Sequence, residues 1–172
     1  MKPILSPLEV VDFSIINSLY KFVQPEPGID VLEIMTTYEL DVNYRFETEK
    51  NFWQVFVKIA VNQIEGPKPG YCIFAEGVTF FQFNALSKLN ENEKRILMNY
   101  SALPMAIHCV RGYIANLTAG GPYGKYLFPL IDLNDLMRQK ELLIKEKMEK
   151  TASSSPKPMR KLSQRKKPKS AK

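Results

Sequence analysis

Two neighbouring stretches of the sequence alternate between apolar and polar residues with a period of two. In residues 38–47, aromatic and aliphatic residues hold every second position, and charged or amide residues lie between them. Residues 52–63 repeat the pattern, and the polar link TEKN joins the two stretches. Because successive side chains of a strand point to opposite faces, each stretch predicts a strand with one buried and one solvated face. The short link predicts that the two strands form a hairpin.

Two further stretches favour strands. Residues 9–23 are rich in β-branched and aromatic residues and stop at the turn-forming sequence QPEPG. Residues 71–84 follow a second turn sequence, GPKPG, and contain Gly77, where we expect a β-bulge. Branched and ring side chains favour extended backbone, and Gly within a strand marks a bulge or a close approach. We expect residues 29–37 to connect the first strand to the second.

The apolar spacing changes to a helical one at Asn90. Asn90 followed by Glu93 predicts a capping box at a helix N-terminus. Apolar residues then recur every three or four positions, from Ile96 and Tyr100 as far as Leu117, which predicts one continuous buried stripe. Pro104 inside this helix should kink or split it, because proline lacks the backbone N–H that the helix needs. The helix should end at Gly120.

A second helix should follow, capped by Asp132 or Asn134. Four strands followed by two helices predict an α+β fold: a four-stranded antiparallel sheet with a long, proline-interrupted helix and a C-terminal helix on one face.

Charge divides the chain of 172 residues into two parts. Residues 151–172 carry eight Lys and Arg and no acid, whereas residues 1–150 carry a net charge of −2. We therefore expect a folded domain over 1–150 and a disordered basic tail over 151–172, because the tail has little apolar surface to offset its ordering entropy. With two cysteines, no signal-peptide pattern and no apolar run of about 20 residues, the expected location is the cytoplasm.

Residues that could carry out catalysis are few. His108 is the single histidine, and Cys109 beside it in a helix would point elsewhere. Cys72 and Cys109 cannot complete a zinc site, which needs four ligands. Glu39 and Asp41 form an acidic pair that is more typical of a solvated strand face than of paired catalytic carboxylates. Sequence motifs for nucleotide binding or a nucleophilic serine are absent, so we expect no enzyme, no metal and no cofactor.

Aromatic residues are concentrated in two places: one strand, with Phe80, Phe81 and Phe83, and the segment GGPYGKYLFPL at residues 120–130. Ordinary core packing explains such residues as well as a partly buried groove that binds other chains does. The residues alone leave both interpretations open.

The order of these parts resembles SecB, the family of bacterial protein-export chaperones, over residues 9–137. The resemblance rests on a helix entered near a proline and ended by glycine, a Leu-x-Pro-hydrophobic loop, and a polar–hydrophobic step into a last helix. In this sequence these are Pro104, Gly120, Leu127-Phe128-Pro129-Leu130, Asp132-Leu133 and Leu136, with Glu39-Leu40-Asp41 matching an acidic–Leu–acidic step in the second strand. The chain departs from the family in its basic tail and in an extra residue between Leu130 and Leu133.

The resemblance implies an ATP-independent holdase that binds unfolded precursor polypeptides, keeps them competent for export and translocation, and passes them to a SecA-like translocase motor. It implies a homotetramer, a dimer of dimers, without a cofactor. Glu39 and Asp41 would contact the motor. The walls of the client-binding groove would be Val31, Leu32 and Ile34 from one loop and Tyr123, Tyr126 and Phe128 from another.

Other functions compete with this one. A SecB-like chaperone could serve a single toxin–antitoxin pair. Alternatively, the basic tail could make the chain a nucleic-acid or ribosome-binding module, or attach it to an anionic membrane, since Lys and Arg bind phosphate. A small-ligand pocket protein would show a closed cavity and no tetramer.

Overall fold

The structure, a computed structural model, describes residues 4–49, 52–63, 66–85 and 87–153. Contacts divide the chain into two units, one ending at Ile131 and one beginning at Asp132. The first unit contains β1 (Leu8–Val23), α1 (Val31–Met35), β2 (Leu40–Glu49), β3 (Phe52–Val61), β4 (Gly70–Phe83), α2 (Glu91–Leu97), a π-helical segment (Met98–Ala102) and α3 (Leu103–Thr118). The second contains α4 (Leu133–Ser153).

The described strands form one antiparallel sheet in the order β1-β4-β3-β2. The predicted hairpin of β2 and β3 is confirmed, with Tyr44 opposite Val57 in its register. Both of these side chains are buried, whereas Arg45 and Lys58 point to the other face and are exposed. The period-two pattern therefore gave the correct face for these four residues, whereas Leu40, expected inside, is exposed and Asn62, expected outside, is buried. The α+β fold class is confirmed.

The expected bulge at Gly77 is wrong. Gly77 pairs regularly with Val57 of β3, and the register shifts lie on β1, where an extra residue follows Val10 and another follows Ile15. A Cβ at Gly77 would lie 2.9 Å from the Phe13 ring and 3.1 Å from a Val110 methyl. Glycine is needed there because β1 and α3 both approach the β4 backbone closely.

The helix continues through Pro104 with a changed hydrogen-bonding pattern. The Leu103 amide donates to the Met98 carbonyl, five residues back, which is the π-helical spacing. The wider turn accommodates a residue that has no N–H and whose ring would clash with the carbonyl four positions earlier. It also shifts the stripe: Met98 is buried, whereas Ile96 and Tyr100, which we expected to be buried, are exposed.

The N-terminus of this helix is as predicted. The Asn90 side chain accepts a hydrogen bond from the Glu93 amide at 2.9 Å, and the Glu93 carboxylate accepts one from the Asn90 amide at 2.8 Å. These two bonds constitute a capping box, so two residues were enough to predict where α2 begins.

The core lies between α3 and the face of the sheet that α3 covers. Helix α3 packs on β1, β3 and β4. Its buried side chains are Leu103, Ala106, Ile107, Val110, Ile114 and Thr118. Opposite them the sheet contributes Val55, Val57, Ile59, Val61, Ile73 and Phe81, all nearly inaccessible to solvent.

In the second unit, Asp132 caps α4. Its carboxylate accepts hydrogen bonds from the amides of Asn134 at 2.9 Å and Asp135 at 3.2 Å, so the first of the two predicted caps is confirmed. Helix α4 continues through Ser153 and thus includes the first three residues assigned to the basic tail. The rest of that tail lies outside the described residues. Among the described residues, no helix is both long enough and apolar enough to span a membrane.

Candidate functional site

Two segments from distant parts of the sequence meet at the start of β4. We call them the α1 loop (residues 24–39) and the α3–α4 loop (residues 119–131). Val31 and Tyr38 of the α1 loop pack on Gly70, where an added Cβ would lie 2.9 Å from a Val31 methyl and 2.1 Å from the Tyr38 hydroxyl. Gly70 also has a φ of +105°, which side-chain-bearing residues rarely adopt. Both space and backbone conformation therefore require glycine at this junction.

The Tyr38 hydroxyl joins the α1 loop to β4. It donates to the Pro69 carbonyl at 2.7 Å and accepts from the Tyr71 amide at 2.9 Å. One phenol thus satisfies a main-chain donor and a main-chain acceptor at the strand end, where the sheet leaves them unpaired.

The Tyr71 hydroxyl holds the α3–α4 loop in the same way. It donates to the Gly124 carbonyl at 2.8 Å and accepts from the Tyr123 amide at 3.0 Å. A Cβ at Gly121 would lie 2.5 Å from this hydroxyl, so the glycine that follows α3 lets the loop pass close to the sheet.

Two helix side chains hold the remainder of the α3–α4 loop. The Thr118 hydroxyl accepts from the Tyr126 amide at 2.8 Å, and the Arg111 Nε donates to the Phe128 carbonyl at 3.0 Å. The loop contains no helix or strand, but main-chain groups of Tyr123, Gly124, Tyr126 and Phe128 are each bonded to a side chain of β4 or α3. This pairing explains how an irregular segment keeps a fixed path.

Aromatic rings continue from β1 through β4 into this loop. We call Tyr20, Phe22, Tyr71 and Tyr123 the aromatic cluster. The Tyr71 ring lies 5.7 Å from Tyr20 and 6.0 Å from Phe22, and the Phe22 ring stacks on Tyr123 at 5.9 Å. Tyr71 is buried, Phe22 is half-buried, and Tyr20 and Tyr123 are each 36% exposed. The cluster therefore presents ring surface to solvent from a rigid base.

Sequence reasoning missed Tyr20, Phe22 and Tyr71 as parts of this site. The alternation of β1 places Tyr20 and Phe22 on one face, but β1 pairs with β4 rather than with its sequence neighbour β2. Only that crossover brings them beside Tyr123.

Three of the six predicted wall residues are buried. Val31 and Phe128 are each 1% exposed and Tyr126 is 8% exposed, so in this structure they anchor the two loops from inside. Ile34 is half-buried. Two of the predicted residues present an outer surface: Leu32, at 60% exposure, and Tyr123.

Exposed aliphatic side chains lie on the same two loops. They are Ile29 and Leu32 on the α1 loop and Leu127 and Leu130 on the α3–α4 loop. These side chains and the exposed rings of the aromatic cluster are apolar groups on elements that converge at the start of β4, and exposed apolar surface is what contacts other chains.

Three phenols at this site, those of Tyr20, Tyr38 and Tyr126, have raised pKa values. Burial, with a smaller contribution from the nearby Tyr38 phenol, raises the pKa of Tyr126 to about 12. Burial also raises the pKa of Tyr38 and, together with the neighbouring Tyr71 phenol, the pKa of Tyr20. These three phenols therefore remain protonated and uncharged at neutral pH.

The predicted motor contacts lie elsewhere. Asp41 is exposed on the sheet face opposite α3, and Glu39 is half-buried just before β2. That face also carries cations over aromatic rings: the Arg45 guanidinium lies 4.0 Å from the Phe56 ring centre, with a similar Lys58 contact on Phe74. Its charge is therefore mixed.

The groups weighed for catalysis do not come together. His108 is exposed, Cys72 is buried, and burial raises the pKa of the half-buried Cys109 thiol. Within the described residues, no three His, Cys, Asp or Glu side chains are grouped so that they could hold a metal ion.

The fold is similar to that of a solved structure. The chain is similar to Rv1957 from Mycobacterium tuberculosis, a SecB-like chaperone in complex with a ChAD peptide from the antitoxin HigA1, Rv1956. The TM-score is 0.53 at 12% identity, and the match covers 72% of this chain and 90% of that chain. The fold is therefore SecB-like, as the resemblance implied.

A second similar structure is a protein of unknown function from Streptococcus agalactiae. Its TM-score is 0.38 at 7% identity, with coverage of 72% of this chain and 97% of that chain. No family model and no curated protein sequence matches the chain.

Proposed function

We propose that this protein is an ATP-independent chaperone that holds unfolded polypeptides by apolar contact and performs no chemistry on them. The observation that carries the proposal is a SecB-like fold that exposes ring and aliphatic surface where the α1 loop and the α3–α4 loop converge. Rv1957 is bound to a peptide in its structure, which supports polypeptides as the ligand class.

Burial of apolar surface would supply the affinity. Each square ångström removed from water contributes about 25 cal/mol, and this term does not depend on the order of residues in the client. Binding the unfolded state alone lowers the population that can fold, by mass action. Such a chaperone needs no nucleotide, because it acts by holding the client and not by forcing a conformational change.

The finer parts of the proposal concern assembly and partners. We propose a homotetramer in the cytoplasm that receives export-bound precursors and passes them to a SecA-like motor through the sheet face that carries Asp41. Static light scattering tests the assembly: the expected mass is that of four subunits, and a monomeric mass would contradict it.

The central experiment mixes the protein with a slowly folding precursor during its refolding. We expect stoichiometric amounts to delay refolding. In the variant Leu32→Ser the delay should shorten, because an exposed contact residue is lost without disturbing the core. Leu142→Ser is the matched control, since Leu142 is also an exposed helical leucine, at 53% against 60%, but lies on α4. If the two substitutions shortened the delay equally, the α1 loop would not be part of the client-binding site.

Deletion of residues 154–172 separates the chaperone from a nucleic-acid binder. We expect client holding to survive the deletion, while any binding to RNA or anionic vesicles is lost with the eight positive charges. Loss of client holding together with RNA binding would overturn the chaperone proposal. Testing several unrelated precursors distinguishes general holding from a dedicated toxin–antitoxin client, since a dedicated chaperone would delay only one.

A further inference from the structure

A cavity lies at the opposite end of β4 from the aromatic cluster. Side chains from β2, β3, β4 and α2 surround an open cavity of about 480 Å³, which we call the Trp53 pocket. Its lining includes Thr48, Trp53, Phe83, Ala85, Glu91 and Lys94. Cavities of this size accept small ligands or a few side chains of a peptide.

The lining has an aromatic floor and a polar rim. The rings of Trp53 and Phe83 meet edge to face, with centres 5.7 Å apart and planes at 87°, and both are half-buried. Because both residues are only partly buried, they can contact a third apolar group. At the rim, the Lys94 ammonium pairs with the Glu91 carboxylate at 2.7 Å.

The rim favours a peptide main chain over a charged ligand. Lys94 and Glu91 offset each other, so the pocket selects for neither sign of charge. An ammonium group has three donors, and one hydrogen bond to Glu91 leaves capacity for a carbonyl oxygen. The rings of Trp53 and Phe83 offer apolar contact, and the Lys94 ammonium can still donate a hydrogen bond. An extended chain matches this pair of groups, because it offers a side chain and a carbonyl at each residue.

We propose that the Trp53 pocket is a second polypeptide-binding site, which takes an aromatic or large aliphatic side chain against Trp53 and Phe83 while Lys94 binds a carbonyl of the same segment. This inference rests on the proposed function and adds a site to it. The two sites are separated by the length of β4, Gly70 to Phe83, which corresponds to about 40 Å of strand.

The separation sets a length requirement on the client. An extended chain advances at most about 3.6 Å per residue, so roughly 12 residues are needed to reach both sites. A longer chain gains from the high effective concentration of its second segment once the first is bound. Shorter chains bind one site at a time and more weakly.

The test uses Trp53, the single tryptophan of the chain, as a reporter. Two Trp-free peptides are compared, one and four copies of Leu-Gly-Ser-Phe-Lys-Ser, which extend to about 20 Å and about 80 Å. The four-copy peptide should change Trp53 fluorescence and bind at least about 10-fold more tightly than the one-copy peptide. Anisotropy of labelled peptide reports binding at either site independently.

Ala85→Arg is the blocking variant, because Ala85 is exposed and lines the pocket. It should abolish the Trp53 response and reduce the affinity of the four-copy peptide to that of the one-copy peptide. Ser14→Arg, exposed on the opposite sheet face, adds the same side chain and should change neither. Suppose that anisotropy shows the four-copy peptide binding, but Trp53 fluorescence does not change and Ala85→Arg does not lower the affinity. This inference is then wrong and the chaperone proposal stands. If neither peptide binds and client refolding is not delayed, both fall.

Discussion

The two ends of β4 are built by different means. At Gly70 and Tyr71, two loops distant in sequence are fixed to the strand by hydroxyl groups that pair with main-chain atoms. At Phe83, the neighbouring elements stand apart around a cavity, and the capping box and ion pair of α2 join residues of that helix to one another and not to the strand. Buried hydrogen bonds that replace missing strand partners are costly to lose, whereas an exposed ion pair contributes little. We therefore expect loss or addition of a single atom at the Gly70 end to lower the stability of the fold. Substitutions at the Phe83 end should have little effect on it.

Gly70→Ala should have the largest effect. The new methyl would overlap the Tyr38 hydroxyl at 2.1 Å, and the backbone would keep an unfavourable φ. We expect a loss of about 3 kcal/mol or more in the free energy of unfolding, measured by urea denaturation. Gly66→Ala is the control, because Gly66 also has a positive φ, of +66°, but no atom within 4 Å of its Cβ position. If both variants lose equally, backbone strain alone explains Gly70.

Tyr71→Phe should cost about 2 kcal/mol, since the Gly124 carbonyl and the Tyr123 amide would be left without their partner. Urea unfolding again gives the value. Tyr100→Phe removes an exposed phenol and should change stability by less than about 0.5 kcal/mol. A Tyr71→Phe protein as stable as Tyr100→Phe would show that the hydroxyl does not hold the loop.

Alkaline pH should destabilise the Gly70 end of β4. The Tyr126 pKa is raised from 10.0 to about 12 by burial, so the folded state binds the phenol proton more tightly than the unfolded state does. The resulting stabilisation is complete below pH 10 and disappears as the pH rises towards 12, by up to about 2 kcal/mol. Tyr126→Phe should flatten this part of the profile of unfolding free energy against pH. An unchanged slope would place the titration at other groups.

Lys94→Gln should have the smallest effect, at the other end. The Lys94–Glu91 pair spans three residues on an exposed helix, and such pairs contribute about 0.5 kcal/mol or less. Thermal unfolding at low and high salt measures the contribution, which should fall as salt rises. A loss above about 2 kcal/mol would mean that the pocket end is as tightly held as the loop end.

Local rules predicted much of the fold. Alternation placed Tyr44 inside and Arg45 outside, and two residues, Asn90 and Glu93, predicted the capping box. Each of these features depends on neighbours in sequence, which is why a single sequence carries it. The effect of Pro104 was expected, but the π-helical form of that effect, which exposes Ile96 and Tyr100, depends on how the helix then packs.

The site was less predictable because it is assembled across the sheet. The α1 loop and the α3–α4 loop were both predicted to take part, but which of their side chains point outward was not. Val31 is an interior anchor because its side chain packs against Gly70 of β4, and Phe128 is one because Arg111 of α3 bonds its carbonyl. Hydroxyl-to-main-chain bonds of this kind join residues about 30 to 50 positions apart, and no spacing rule encodes them.

Photo-crosslinking tests the central claim most directly. A photoreactive phenylalanine analogue replaces Tyr123 in one variant and Tyr100 in another, both exposed tyrosines of the first unit. After mixing with an unfolded precursor and illumination, the account predicts a client adduct at position 123 that exceeds the one at position 100, and none with the folded client. Equal adducts at the two positions, or an adduct that persists with the folded client, would contradict it.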